Sequence, residues 1–331
     1  MNTVPIPMVD DEPAAPVVTI AKPATTVDAV AIPTLTEKAM LAGLSISCWS
    51  ARKNVKQVAQ EAADAHRADV SQLQASKSVI ASTALEAIKA NHTAARDYHR
   101  SRTLPWLDDG ARILTASLFW EYSKKMQEFR QTDEALVAEF LANYPTYCAA
   151  TPALLGSLYD PADYPTPDRI AGKFGFRTNI GPLPSSADFR VGLGAAEEER
   201  IRAEIDGRLQ SGVNEAMRDL WDQVHNTVAH MAQKLREFSQ TEEVDAATGK
   251  TKTKTIGIFR DSLVENVREL AGLLRPMNLT GDSRLDAIAA RLETELCDVD
   301  ADDLRKNDAL REKVAMSAED VLAQMAGYLG D

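Results

Sequence analysis

The chain has 331 residues, 44% of them hydrophobic and 26% charged, so it carries enough apolar material for a sizeable core and is not disordered throughout. Its formal net charge is −12. That excludes a global field that would hold duplex DNA, and no apolar run approaches the roughly 18–20 residues of a membrane span.

Alanine supplies about 50 residues and aromatics only 6%, a bias toward helices. Cys48, Cys148 and Cys297 lie far apart and form no CxxC pair, as expected in a reducing cytosol. The first 35 residues lack a basic start and a continuous apolar stretch, so no secretory signal is expected there. Charge is uneven. Residues 1–150 hold 15 basic and 17 acidic residues, a net of −2, and 151–331 hold 22 and 32, a net of −10.

Residues 1–36 contain Pro5, Pro7, Pro13, Pro16, Pro23 and Pro33, and the spacing predicts a disordered or polyproline-like tail. An N-terminal helical region is expected over 37–150. Within it, Leu44, Ile46 and Cys48 alternate with polar residues, as in a short strand or, equally, the first turns of a helix. Residues 51–101 have no proline or glycine. Val55, Val58, Ala62, Val70, Leu73, Ile80, Ala84 and Ile88 make a narrow stripe, which predicts one helix of roughly 75 Å. Thr103-Leu104-Pro105-Trp106 ends it. A second helix is expected from Leu114 through Tyr144, stopped by Pro145.

Residues 151–194 hold six of the 15 prolines and six of the 16 glycines, with Tyr159, Tyr164, Phe174, Phe176 and Phe189. The expectation is an irregular aromatic strap across the helical core. In the last region, 195–331, eleven apolar positions recur every 3.7 residues: Ile201, Ile205, Leu209, Val213, Met217, Leu220, Val224, Val228, Met231, Leu235 and Phe238. This is the period of a straight helix. The two long helices are expected side by side. The threonine-rich segment 241–257 predicts a β-hairpin, and helices are expected at 259–274, 283–296 and 302–329. The fold class is therefore mainly α: an elongated bundle of two long paired helices, the strap and the small hairpin.

Candidate chemistry is sparse. Gly249-Lys250-Thr251 resembles the end of a phosphate-binding loop, but Val244 stands where the first glycine belongs, so a hairpin turn is the plainer reading. Asp298, Asp300, Asp302 and Asp303 resemble a calcium loop, but Asp303 and Ala309 occupy the positions that need glycine and glutamate; helix capping by Asp300 is simpler. His66, His92, His99, His225 and His230 make no zinc pair and read as solvated side chains. No cofactor, metal or catalytic residue is assigned. Two basic clusters, Arg52-Lys53-Lys56 and Arg96-Arg100-Arg102, with Tyr98 and Trp106 nearby, are candidates for nucleic-acid contact. The net charge disfavours that reading. In the strap, Tyr164, Phe174, Asp188, Phe189 and Arg190 are candidates for an interaction surface, and Asp160, Asp163, Asp188 and Arg190 are the nearest candidates for a hydrolytic site.

Several short motifs lie outside the tail. They are Cys48-Trp49 with Arg52-Lys53, Leu104-Pro105-Trp106 with Gly110 and Arg112, Tyr164-Pro165, Lys173-Phe174, Pro182 with Pro184, and Asp188-Phe189-Arg190-Val191. Over about 40–330 the pattern resembles a tailed-phage and prophage family catalogued as domain of unknown function 3150. The resemblance implies a place beside a MoxR-type AAA ATPase and a von Willebrand A-domain protein, and it carries no catalytic residues. The expected function is a non-enzymatic phage interaction or structural protein, with an adaptor role in such a system as its specific form. It would act in the cytoplasm of a bacterial host or in the virion, with protein partners and a homo-oligomer through the long helices as further expectations. The rival is a nucleic-acid-binding protein of phage DNA metabolism.

Overall fold

The computed structural model describes residues 32–107, 110–244 and 251–329. Most of the expected tail, 1–31, lies outside them, as do Gly249 and Lys250. The architecture is mainly helical with a small antiparallel sheet.

Helix α1 spans Ile32–Lys38. Pro33 stands in its first turn, where the missing N–H has no helical partner to lose. The tail expected through residue 36 therefore ends earlier, and Leu35 is fully buried. Strand β1 (Ala39–Ser47) follows, so the alternation of Leu44 and Ile46 belongs to a strand, longer than the six residues that show it.

The single helix expected over 51–101 is not formed. The chain instead makes β2 (Arg52–Asn54), α2 (Lys56–His66), a 3-10 turn at Val70–Gln72, β3 (Ser76–Ser78), a 3-10 turn at Ser82–Leu85 and α3 (Glu86–Ser101). Arg67 adopts φ 52° and closes α2 by donating its N–H back to the last turn. Asp69 accepts from the Ser71 N–H, a local bond that competes with helix continuation. Val79 and Ile80 are both buried, although neighbouring positions cannot share one helical stripe.

Strands β4 (Leu104–Pro105) and β5 (Ala111–Thr115) precede α4 (Phe119–Leu155). Leu114 thus lies in a strand. Pro145 does not stop the helix: α4 runs 37 residues through Pro145 and Pro152. Each proline costs about 3 kcal/mol inside a helix. Both are exposed, whereas Phe140, Tyr144 and Thr151 on the same stretch are buried. Burying a large side chain contributes about 1.5–3 kcal/mol, so packing outweighs propensity.

The strap is only partly irregular. After 3-10 turns at Gly156–Leu158 and Pro161–Asp163 come α5 (Pro167–Ala171) and β6 (Gly175–Pro182), then a 3-10 turn at Ser186–Asp188. β6 pairs with β1 from Met40↔Pro182 to Ser47↔Gly175, and the sheet order is β4-β5-β1-β6.

Helix α6 (Ala195–Glu237) has 43 residues, close to the expected span. Its stripe from Leu209 to Leu235 is buried within one chain. The long pair expected for it has no first member, and α6 packs against the C-terminal helices and β4 instead. Strands β7 (Ser239–Val244) and β8 (Thr251–Ile256) form the expected hairpin. At its foot, Gly257 has φ +70°, and a side chain there would run into the Glu237 carbonyl. Helices α7 (Ser262–Met277) and α8 (Ser283–Arg291) follow, the latter ending in a π-helical turn at Leu292–Leu296. α9 (Ala301–Lys306) and α10 (Asp308–Leu329) replace one expected helix. Asn307 separates them, its side-chain oxygen accepting from the Leu310 N–H at 3.0 Å.

There are two core clusters. The larger is built on α6, the sheet and the C-terminal helices; the smaller joins Ala51, Val79, Ile80, Leu85, Ile88, Phe140, Tyr144 and Ile170. Helices α3 and α4 run through both. On α3, Ile88 lies in the small core and Ala95 in the large one; on α4, Phe140 and Met126 do the same.

Candidate functional site

The structure separates the two basic clusters onto different elements. Arg52 and Lys53 lie on β2 and Lys56 opens α2, all exposed. Lys53 and Lys77 sit on cross-strand partners and converge on Asp163, at 3.2 and 2.7 Å. Lys77 also donates to the Leu158 carbonyl. The Lys77 ammonium holds the Asp163 carboxyl below its ordinary range, burial opposes this, and Lys53 adds to the lowering. Lys53 is therefore engaged in clamping the β2–β3 hairpin to the strap, and so is Asp163.

Arg96, Arg100 and Arg102 lie on or just after α3. Arg96 and Arg100 are exposed. Arg102 packs over the Tyr98 ring, 5.0 Å from its centroid, and bonds Glu121 at 3.4 Å and Glu269 at 2.6 Å. It thereby ties α3 to α4 and α7. Trp106, expected beside them for stacking, is 3% exposed and faces Gly212 of α6, where a Cβ would strike its ring.

The strap residues divide in the same way. Tyr164 packs on Tyr159, ring centroids 5.4 Å apart, and Phe174 packs edge-on against Phe140 at 5.6 Å. Both belong to the margin of the small core. Asp188 closes an exposed turn, Arg190 is exposed, and the Phe189 carbonyl accepts from Arg202 of α6 at 3.3 Å. Asp160 caps its own turn by accepting from the Ala162 N–H. Of the four hydrolytic candidates, Asp160 and Asp163 are thus engaged in a turn and an ion pair, and Asp188 and Arg190 lie on the exposed stretch before α6.

Two histidines expected in solvent are buried. His92 is 1% exposed and its Nε2 lies 2.5 Å from Asp133 Oδ1. His99 Nδ1 hydrogen-bonds the Tyr122 hydroxyl at 2.7 Å. Burial first, then Arg112 and Arg100, push the His99 imidazole down to about 4, so it is neutral at pH 7. Both side chains face α4, seven residues apart on α3, a spacing the sequence displays without revealing what lies opposite. His66 and His230 are exposed, as expected. Burial raises the Cys48 thiol, against the lowering by Lys89 and Arg96, so it carries little thiolate.

Asp300 sits at the N-cap position of α9 but its side chain makes no capping bond; Asp302 instead pairs with Arg305 at 2.6 Å. Among the described residues, no group of three His, Cys, Asp or Glu side chains is placed to hold a metal. No described helix is long and apolar enough to cross a membrane.

Sequence reasoning missed two surfaces. One is Trp120, 80% exposed on the first turn of α4, its ring edge-on to Phe119 at 5.1 Å. The other is a cleft of ≈ 380 Å³ where Arg100 meets Asp97, Ser101, Arg112, Asp219 and Gln223. The first had a signal in the adjacent Phe119-Trp120 pair, only one of which a helix face can bury. The second had a signal only in Arg100, because Asp219 and Gln223 of α6 lie more than 100 residues further along the chain. Scans of protein-family models, of curated proteins and of solved structures each find no match to this chain.

Proposed function

We propose that the protein is a non-enzymatic interaction protein that docks other proteins through apolar side chains held outside its cores. The observation that carries this reading is Trp120. A folded chain that buries Trp106 and Trp221 to within 3% leaves this indole 80% exposed. Tryptophan is the side chain most enriched where partners bind tightly, and a single exposed leucine would mean far less. Leu154, at 66%, is exposed near the other end of the same helix, and Ile258, at 78%, at the foot of the hairpin. The family resemblance supplies the candidate partner, a MoxR-type AAA ATPase acting with a von Willebrand A-domain protein in a phage-infected cell.

The test is affinity capture of the tagged full chain from induced cells, with Trp120→Ala beside it. Stoichiometric recovery of an ATPase or virion protein, reduced at least tenfold by Trp120→Ala, is the expected result. Recovery of nucleic acid with replication proteins, unaffected by Trp120→Ala, would contradict it.

A further inference from the structure

We propose that the cleft between α3, β5 and α6 binds a small phosphorylated polyol of the sugar-phosphate class. Its walls are Asp97, Arg100 and Ser101 of α3, Arg112 of β5, and Asp219 and Gln223 of α6. It is a shallow, open depression of ≈ 380 Å³ with polar walls, so a ligand there would be held by charge and hydrogen bonds and stay partly in solvent.

Arg112 is built in advance for such a ligand. Its backbone pairs with Ala42 of β1 on one side and Pro105 of β4 on the other. Its Nε donates to Thr103 Oγ1 and its Nη2 to the Thr103 carbonyl, both at 2.8 Å. Thr103 is 1% exposed, and its hydroxyl in turn donates to the His99 carbonyl at 2.5 Å. These bonds fix the guanidinium plane and engage Nε and Nη2, with no hydrogen bond from Nη1 among the described residues. Arg102, two residues from Arg100, shows the contrast: it is held by two glutamates.

Four charged side chains line the cleft, and none forms an ion pair among the described residues. Arg236, Arg275 and Arg305, by comparison, each sit on a carboxylate. Burial lowers the Arg112 guanidinium, Asp219 opposes this, and Arg100 adds to it. Asp219 compensates the half-buried Arg112 only in part, and an anion entering beside Arg112 and Arg100 would complete the compensation. Two guanidiniums match the oxygens of a phosphate group.

The carboxylates define the rest of the ligand. A bare anion would meet Asp97 and Asp219 as well as the arginines. Hydroxyl groups on the same ligand would donate to those carboxylates. Gln223 donates to Asp219 Oδ2 at 2.6 Å, which orients that carboxylate and leaves Oδ1 to accept. A phosphate at the arginine end and hydroxyls at the aspartate end satisfy both.

Isothermal titration of the full chain with ribose 5-phosphate tests this, with inorganic phosphate as the comparison. Saturable binding is expected, with inorganic phosphate about tenfold weaker, one lost charge-assisted bond or more. Arg100→Gln, at an exposed position that leaves the fold intact, should weaken ribose 5-phosphate by about tenfold, as should Arg112→Lys. Arg96→Gln, on the same helix but outside the cleft, should change nothing. The absence of saturable binding would overturn the proposal. So would equal affinity for inorganic phosphate, or equal losses in Arg96→Gln and Arg100→Gln.

Discussion

The two cores differ in how they are made. The larger is aliphatic and organised by one helix: Leu209, Val213, Met217, Leu220, Val224 and Val228 of α6 are all fully buried. The smaller is assembled from pieces, its buried aliphatic residues joined by an aromatic cluster. Trp49, Phe140, Tyr144, Tyr147 and Phe174 contact one another, with ring centroids 5.6–6.2 Å apart, from a loop, a helix and the strap. Between them lies the His92–Asp133 pair. On α3 it falls between Ile88 and Ala95, and on α4 between Met126 and Phe140. A buried polar pair offers neither apolar cluster a packing surface, which predicts that it separates the two zones along this helix pair. The lesson is that a long helix can serve two cores without joining them.

Four changes sharpen that contrast. Leu220→Ala strikes the aliphatic core at a fully buried site. It should cost about 3–5 kcal/mol in urea unfolding, across the whole molecule. Asp133→Ala strands the His92 Nε2 in a site only 1% exposed. The expected cost is about 3 kcal/mol, whereas the double replacement His92→Leu with Asp133→Leu should recover most of it and merge the two zones. If the double variant is no more stable than Asp133→Ala, the pair is not a divider.

A third change is one of pH. His99 titrates near 4 when folded and at 6.5 when unfolded, so the unfolded chain binds the extra proton between those values. This contribution to stability is complete above pH 6.5 and falls by about 2–3 kcal/mol as the pH drops to 4. In His99→Gln the slope in that window should flatten, as read from urea midpoints. The smallest effect belongs to Arg236. It bridges α6 to Glu312 and Glu319 of α10 at the surface. Arg236→Ala should cost no more than about 1 kcal/mol, and the loss should shrink in high salt.

Legibility in the sequence follows the same divide. The helix over 195–237 was plain because its core face repeats at the helical period without interruption, and the hairpin because threonines alternate along the sequence on the C-terminal side of Gly249. The segment 51–101 misled because it lacks proline and glycine. Its breaks come from Arg67 in a left-handed conformation, from the Asp69 side chain and from the buried pair Val79-Ile80, none of which disturbs a spacing count. Pro145 misled in the opposite sense: its cost is local, and the aromatic packing that outweighs it comes from Trp49 and Phe174, distant in the chain. The four-stranded sheet escaped for the same reason, since β6 pairs with a strand that ends at Ser47, far earlier in the chain than Gly175. Of the candidate site residues, Arg100 reaches a shared cleft, Lys53, Arg102 and Asp163 are engaged in ion pairs, and the strap aromatics Tyr164 and Phe174 are structural.

The separation of the two cores is tested most directly by native-state hydrogen exchange on Phe140→Ala beside the unaltered chain. Phe140 is 3% exposed and touches Trp49, Tyr144, Tyr147 and Phe174. Faster exchange confined to residues 79–90, 136–148 and 170–176, with the amides of 209–235 unchanged, is the predicted result. A uniform rise in exchange across both stretches would contradict it and would make the molecule one cooperative core.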